Sequence, residues 1–182
     1  MKMSGIIKSA VCFRFAVRRV GTFASICGLV LSSYAADSAL QIQLDTKKAS
    51  PRAVESLTER GILRDYRFAW TSMSQALELS TLDPLEGPFA GEAKRVLRDT
   101  VVSQQHSGLS QQYVNQNHRV EAVFYSPEGD VMELHDTAEY ELRISDGGKI
   151  IHDEKVVMHF VVLMTPGADR WVIRQLQAVP QS

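Results

Sequence analysis

The spacing of the apolar residues changes once along the chain, and this change limits the fold more than any other feature. From about residue 51 to residue 108, apolar side chains recur every three or four residues, as in helices with one buried face. From residue 119 onward they alternate, as in strands with one buried face. Helices followed by strands predict an α+β domain rather than alternating β-α units.

The helical part predicts three helices. Ser50 supplies a capping hydroxyl and Pro51 a first-turn proline, while Gly61 fits a C-terminal cap. The three helices are therefore expected at residues 51–60, 62–80 and 88–108. Residues 109–117 are polar and rich in glutamine, and they are interpreted as a loop or a weak extra strand.

The strand part predicts a curved meander of four antiparallel strands, with the three helices packed on it. The predicted strands cover residues 119–125, 131–144, 149–165 and 170–179, joined by turns rich in glycine and proline. Residues 156–163 are apolar on both faces, which favours a central strand. If the helices cover only one face, the other face predicts a homodimer through the sheet.

The N-terminus has the three parts of an export signal. Residues 1–35 hold five basic residues and no acid, and residues 20–34 are uncharged. Small side chains at Ser33 and Ala35 fit signal-peptidase cleavage after Ala35. We therefore predict a cleaved signal at 1–35, a polar spacer at 36–49 and one domain at 50–182. The alternative is an uncleaved inner-membrane anchor that holds the domain outside the cytoplasm.

Removal of the signal would change the net charge of the chain and remove its cysteines. The 15 basic and 21 acidic residues beyond Ala35 give a net charge of −6, which argues against nucleic-acid binding. Both cysteines, Cys12 and Cys27, lie in the signal, so the mature domain has neither disulfides nor a thiol nucleophile.

The remaining motifs do not indicate a cofactor or a metal. No glycine-rich phosphate loop follows a strand, and no serine has the glycine neighbours of a nucleophile elbow. The five histidines lack metal-ligand spacing. We therefore predict no cofactor and no metal site.

The order of elements and the closing Asp169-Arg170-Trp171-Val172-Ile173-Arg174 resemble the cone-shaped fold of the nuclear transport factor 2-like superfamily. Many members finish on a strand with a tryptophan, one spacer residue and an aliphatic residue. The superfamily includes isomerases, cyclases, dehydratases and non-catalytic binding modules, so the resemblance alone does not fix a function. Two of its groups place the domain behind an N-terminal membrane segment.

The resemblance directs attention to an acid and its partner inside the cone. Isomerases of the superfamily use an acid with a phenol, for which Asp136 and Tyr140 are candidates, whereas dehydratases use a histidine and an aspartate. Asp136 lies in phase with the apolar face of its strand, so it needs a partner. If Gly147 and Gly148 form a two-residue turn, position 136 faces His159. We therefore name Asp136 and His159 as the candidate catalytic pair.

A pocket inside such a cone would be lined by aromatic and flexible apolar side chains. Tyr66, Trp70 and Met73 on the second predicted helix are the candidates, together with Tyr140. The simpler interpretation places the three helix residues in the core.

Three functions are compatible with these observations. The first is an exported, non-catalytic module that binds a partner protein or a small apolar molecule. The second is a cofactor-independent lyase or isomerase that uses Asp136 and His159. The third is a membrane-tethered subunit of an envelope assembly.

Overall fold

The computed structural model describes residues 40–179. The predicted export signal and the first residues of the predicted spacer lie outside this range. Among the described residues, no helix is both long and apolar enough to cross a membrane.

One mixed sheet of six strands forms the larger part of the fold. The strands are β1 (Gln41–Asp45), β2 (Ser50–Pro51), β3 (Leu109–Tyr125), β4 (Met132–Asp146), β5 (Lys149–Pro166) and β6 (Trp171–Val179). Their order is β1-β3-β4-β5-β6, and β2 pairs with the end of β3. β1 and β2 run parallel to β3, whereas β3 to β6 form an antiparallel meander.

Two helices, α1 (Ser56–Leu79) and α2 (Gly91–Ser107), pack on one face of the sheet, with a short 3-10 turn (Asp83–Leu85) between them. The α+β class is confirmed, but three helices on a four-stranded meander is wrong. Gly61 does not end a helix, because the buried stripe from Ile62 onward begins in the same turn and holds it inside α1. Ser50 and Pro51 do not start a helix either, since they extend the sheet beside Phe124 and Tyr125.

The sheet is larger than predicted because two polar segments join it through backbone pairing. The expected spacer at 36–49 contains β1, whose Ile42 pairs with His118 and is buried. The glutamine-rich segment at 109–117 forms the first half of β3, where Tyr113 lies opposite Leu142. In β1 the apolar Ile42 and Leu44 do alternate with polar residues, but over only five residues, whereas residues 109–117 lack a clear alternation. Pairing with a neighbouring strand holds both segments in the sheet.

The core lies between the helices and the inner face of the sheet. β4 keeps the alternation that its sequence predicts, with Met132, Leu134 and Ala138 fully buried. These side chains meet the buried stripe of α1, which consists of Ile62, Tyr66, Ala69, Trp70, Met73, Ala76 and Leu77. The inner face of β4 therefore carries the centre of the core.

Two glycines should respond in opposite directions to alanine substitution. Gly61 lies inside α1, and a Cβ there would meet only Trp171 Cδ1, at 3.9 Å. Because glycine is a poor helix former, Gly61→Ala should raise the free energy of unfolding by roughly 0.5–1 kcal/mol.

Gly129→Ala is the matched control for that substitution. Gly129 has a φ of +79°, and a Cβ there would come within 2.5 Å of Arg52 Nη1 and 3.0 Å of Tyr125 Oη. We expect it to lower stability, as measured by urea denaturation of both variants. A loss of stability in Gly61→Ala would contradict a continuous helix through residue 61.

Candidate functional site

The carboxylate of Asp136 is the most deeply buried charge-bearing group at the centre of the domain. It lies on the inner face of β4 with an exposed fraction of 1%. Its Oδ2 accepts a hydrogen bond from the Tyr66 hydroxyl of α1, with the oxygens 2.8 Å apart. The same oxygen lies 2.7 Å from Nδ1 of His118 on β3. One carboxylate thus joins α1, β3 and β4, and we call these three residues the buried triad.

Aromatic rings enclose the buried triad. The Trp70 indole lies over the imidazole of His118, with ring centroids 4.3 Å apart, and contacts Phe160 of β5 from the other side. Tyr66 meets both Trp70 and His118 edge to face. Such packing leaves the polar atoms in a medium of low polarity, where hydrogen bonds to a charge are strong.

The geometry of the buried triad brings the Tyr66 hydroxyl and Nδ1 of His118 to one carboxylate oxygen of Asp136. Burial, reinforced by the charge of Asp136, raises the pKa of Tyr66 well above its usual value, so the phenol stays protonated and donates. With His118 as donor, the proton of its imidazole sits on Nδ1, a tautomer assigned from the hydrogen-bond geometry. Charge-assisted bonds of this kind are about twice as strong as neutral ones.

Two atoms of the buried triad are left without hydrogen bonds. Asp136 Oδ1 and His118 Nε2 are both buried and have no partner among the described residues. An unmet buried acceptor costs about 1–3 kcal/mol, so the triad retains unused hydrogen-bonding capacity.

The predicted pairing of Asp136 with His159 is wrong by one position. The turn is as expected, with positive φ at Gly147 and Gly148 and with Asp146 opposite Lys149. A β-bulge then follows, because Ser145 pairs with Ile150 whereas Ile144 pairs with His152. The extra residue moves every later pair by one position and sends His159 to the opposite face of the sheet.

The corrected register gives each residue a different neighbour. Asp136 lies opposite Phe160, and His159 lies opposite Thr137, with its Nδ1 3.0 Å from Thr137 Oγ1. The histidine that meets Asp136 is His118, which pairs with Ala138 one position along the same face. The sequence could have indicated His118, because it is in phase with the apolar Val120 and Ala122. It was missed because the strand was predicted to begin at residue 119.

All four pocket candidates are buried side chains. Tyr66, Trp70 and Met73 are core side chains. The internal voids beside them have volumes of about 140 and 120 Å³, and neither admits a water molecule. Tyr140 packs against Tyr113 with ring centroids 4.9 Å apart, and burial raises its pKa.

The described residues also hold no metal centre, since they contain no group of three histidine, cysteine or acidic side chains arranged to hold an ion. In this structure the buried triad holds the carboxylate of Asp136 between two hydrogen-bond partners. A base that transfers protons to a substrate needs the substrate within hydrogen-bond reach, and the void beside Tyr66 has no room for one.

The fold is similar to a solved structure, the intermembrane space region of the chloroplast protein ARC6. The TM-score is 0.56 at 15% sequence identity, and the alignment covers 72% of this chain and 100% of that one. At this identity the likeness concerns the fold alone. No protein-family model matches the sequence, and no curated protein matches it.

Asp136 and His118 should be strongly coupled energetically. Each of Asp136→Asn and His118→Gln removes one partner of a buried pair, so each should lower the free energy of unfolding by roughly 3 kcal/mol. Because both substitutions break the same interaction, their effects should fall short of additivity by about 1 kcal/mol or more in a double-mutant cycle.

His159→Gln is the control in a second cycle with Asp136→Asn. The structure places these two residues on opposite faces of the sheet, so their effects on the unfolding free energy should add within about 0.5 kcal/mol. Coupling with His159 but not with His118 would overturn the observed register.

Proposed function

We propose that this chain is an exported, non-catalytic domain that binds a partner protein through the outer face of its sheet. The observation that carries the proposal is the filled interior. The residues that would form an active site or a ligand pocket in a hollow cone pack instead against each other around Asp136. Binding is thereby left to the surface.

The same observation weighs against two of the other functions. A lyase or isomerase that used Asp136 would need room for substrate beside the carboxylate, and a carrier of small apolar molecules would need a cavity of several hundred Å³. The voids near Tyr66 and Trp70 are too small for either. His159 does not provide a second site with Asp136, since it lies on the other face.

The outer face of the sheet has an apolar column on β5. Val157, Val161 and Leu163 alternate with inward-facing residues such as the buried Val162. Val157 is 51% exposed, and Val179 of β6, opposite His159, is 37% exposed. No helix among the described residues covers this face, so the column can pack against another protein.

A second copy of the chain is the simplest partner for this column. Two sheets can pack back to back through their outer faces, as the apolar character of residues 156–163 predicts. Charged residues on β4 flank the column, and Glu139 forms an ion pair with Arg119 there. Paired charges at the rim would keep such an interface specific without adding much affinity.

Two observations support placement outside the cytoplasm. The sequence at 1–35 has the composition of an export signal. The structural neighbour is itself a region of an intermembrane space, which is consistent with an envelope location for this fold. If the N-terminal segment is retained rather than cleaved, the same domain would be a membrane-tethered subunit of an envelope assembly. The likeness to the nuclear transport factor 2-like superfamily stays a prediction.

Sedimentation velocity of the chain at tens of micromolar tests the sheet interface. We expect a dimer, and Val157→Glu should convert it to a monomer, because a charge would be buried at the centre of the interface. Leu79→Glu is the matched control, since Leu79 is similarly exposed, at 59% against 51% for Val157, but lies at the end of α1.

A wild-type monomer at this concentration would contradict the homodimer. A dimer that Val157→Glu leaves intact would contradict the sheet face as the interface. A bound small molecule of fixed mass in native mass spectrometry would contradict the non-catalytic, protein-binding function.

A further inference from the structure

The solvent-exposed side of α1 is basic over its first four turns. Between Leu57 and Thr71 the exposed residues include three arginines and no acid. These arginines are Arg60, Arg64 and Arg67, spaced four and three residues apart on one side of the helix. Together with Leu57 and Phe68 they form what we call the basic face of α1.

The arginines of this face are incompletely neutralised. Arg60 forms no ion pair with another described residue, and Arg67 donates only to the backbone carbonyl of Leu40, at 2.8 Å. Arg64 pairs with the buried carboxylate of Asp65, and the exposed Asp169 near it pairs with Arg170. The surface offered to solvent is therefore cationic, on a chain that carries a net charge of −6 beyond Ala35.

Two apolar side chains stand among these charges. Leu57 is 77% exposed, and Phe68 is 41% exposed with the Arg170 guanidinium 4.8 Å above its ring. Arginines interleaved with leucine and phenylalanine on one helix face are the combination that binds at the headgroup level of anionic bilayers. The arginines attract the lipid phosphates, and the two apolar side chains enter the interface.

The first described residue of the chain lies beside this face. Leu40, the first described residue, is held against Arg67 by the hydrogen bond to its carbonyl. In the alternative in which the N-terminal segment is kept as an anchor, the uncharged residues 20–34 precede Leu40 by only five residues. A retained anchor would therefore be close in sequence to the basic face.

We propose that the basic face of α1 docks on the surface of a bilayer that contains anionic lipid. The occupant is lipid rather than an acidic protein, because exposed apolar side chains among incompletely neutralised arginines suit the headgroup level of an anionic bilayer. This surface is separate from the outer face of the sheet, so the two contacts can form together. The proposal does not depend on what binds the sheet.

Fluorescence quenching by a lipid-borne quencher tests the proposal. The chain is expressed from Met1 with Cys12 and Cys27 replaced by serine, purified in the form its host leaves, and labelled at Thr71→Cys on the basic face. Vesicles of phosphatidylcholine with phosphatidylglycerol should quench the label at low salt. Quenching should be much weaker with phosphatidylcholine alone or in about 0.5 M NaCl, because screening weakens attraction between exposed charges.

Matched variants separate charge from structure. The double variant Arg60→Gln and Arg67→Gln should bind vesicles more weakly. The vesicle concentration that gives half-maximal quenching should rise about fivefold for each charge removed. Arg60→Lys with Arg67→Lys should retain binding, since the charge is kept. Arg95→Gln with Arg98→Gln, which removes two arginines from α2, should leave binding unchanged. Thermal melts of each variant confirm that it is folded.

A label at Ser103→Cys on α2 should remain unquenched, which fixes the orientation of the domain. Equal quenching in the two lipid compositions would overturn the proposal, as would quenching that ignores Arg60 and Arg67. Absence of quenching in both compositions would overturn it equally, and the basic face would then be assigned to an acidic protein. Val157→Glu should not change quenching, so a failure of the proposed sheet interface can be distinguished from a failure of the proposed membrane contact.

Discussion

The buried carboxylate of Asp136 constrains the rest of the domain. A lone ionised carboxylate in an apolar core is strongly unfavourable, and it persists only where donors are fixed around it. Here the donors come from α1 and β3, so the helix must sit at one height on the sheet and β3 must keep one register with β4. The main effect of this interaction is to exclude alternative packings of the same apolar residues. Its net contribution to the free energy of unfolding is the smaller effect.

We propose that the same constraint leaves function to the surface. Because Tyr66 and His118 are committed to Asp136, and Trp70 closes over them, the groups that could perform chemistry are already satisfied or enclosed. The molecule then has two surfaces with distinct character. The outer face of the sheet is apolar along β5, while the exposed side of α1 is basic. A protein contact on the first and a bilayer on the second would suit a domain that works at the surface of a membrane.

The sequence predicted the parts of this structure that depend on local pattern. The alternation in β4, the Gly147-Gly148 turn and the inward position of Asp136 all follow from side-chain period and turn chemistry. The need for a partner to Asp136 was likewise correct. These features are set within one strand or one hairpin, where a few residues decide the outcome.

The features that could not be predicted depend on contacts between distant segments. The bulge at Ile151 has no signature in composition, yet it replaces His159 by Phe160 opposite Asp136. β1 is only five residues long, so the alternation of Ile42 and Leu44 was too short to identify it, and its pairing with β3 holds it in the sheet. Gly61 stays helical because the packing of Ile62 and Tyr66 outweighs the modest helix cost of a glycine.

The imidazole of His118 gives the most direct test of a filled, structural interior. In a nitrogen-15 labelled sample, a long-range proton–nitrogen spectrum reports which ring nitrogen carries the proton and how fast that proton exchanges with water. We predict a proton on Nδ1 that exchanges as slowly as the most protected core amides, because no water reaches Asp136. A rapidly exchanging proton, or an unprotonated Nδ1, would show that the triad opens to solvent and would contradict the account.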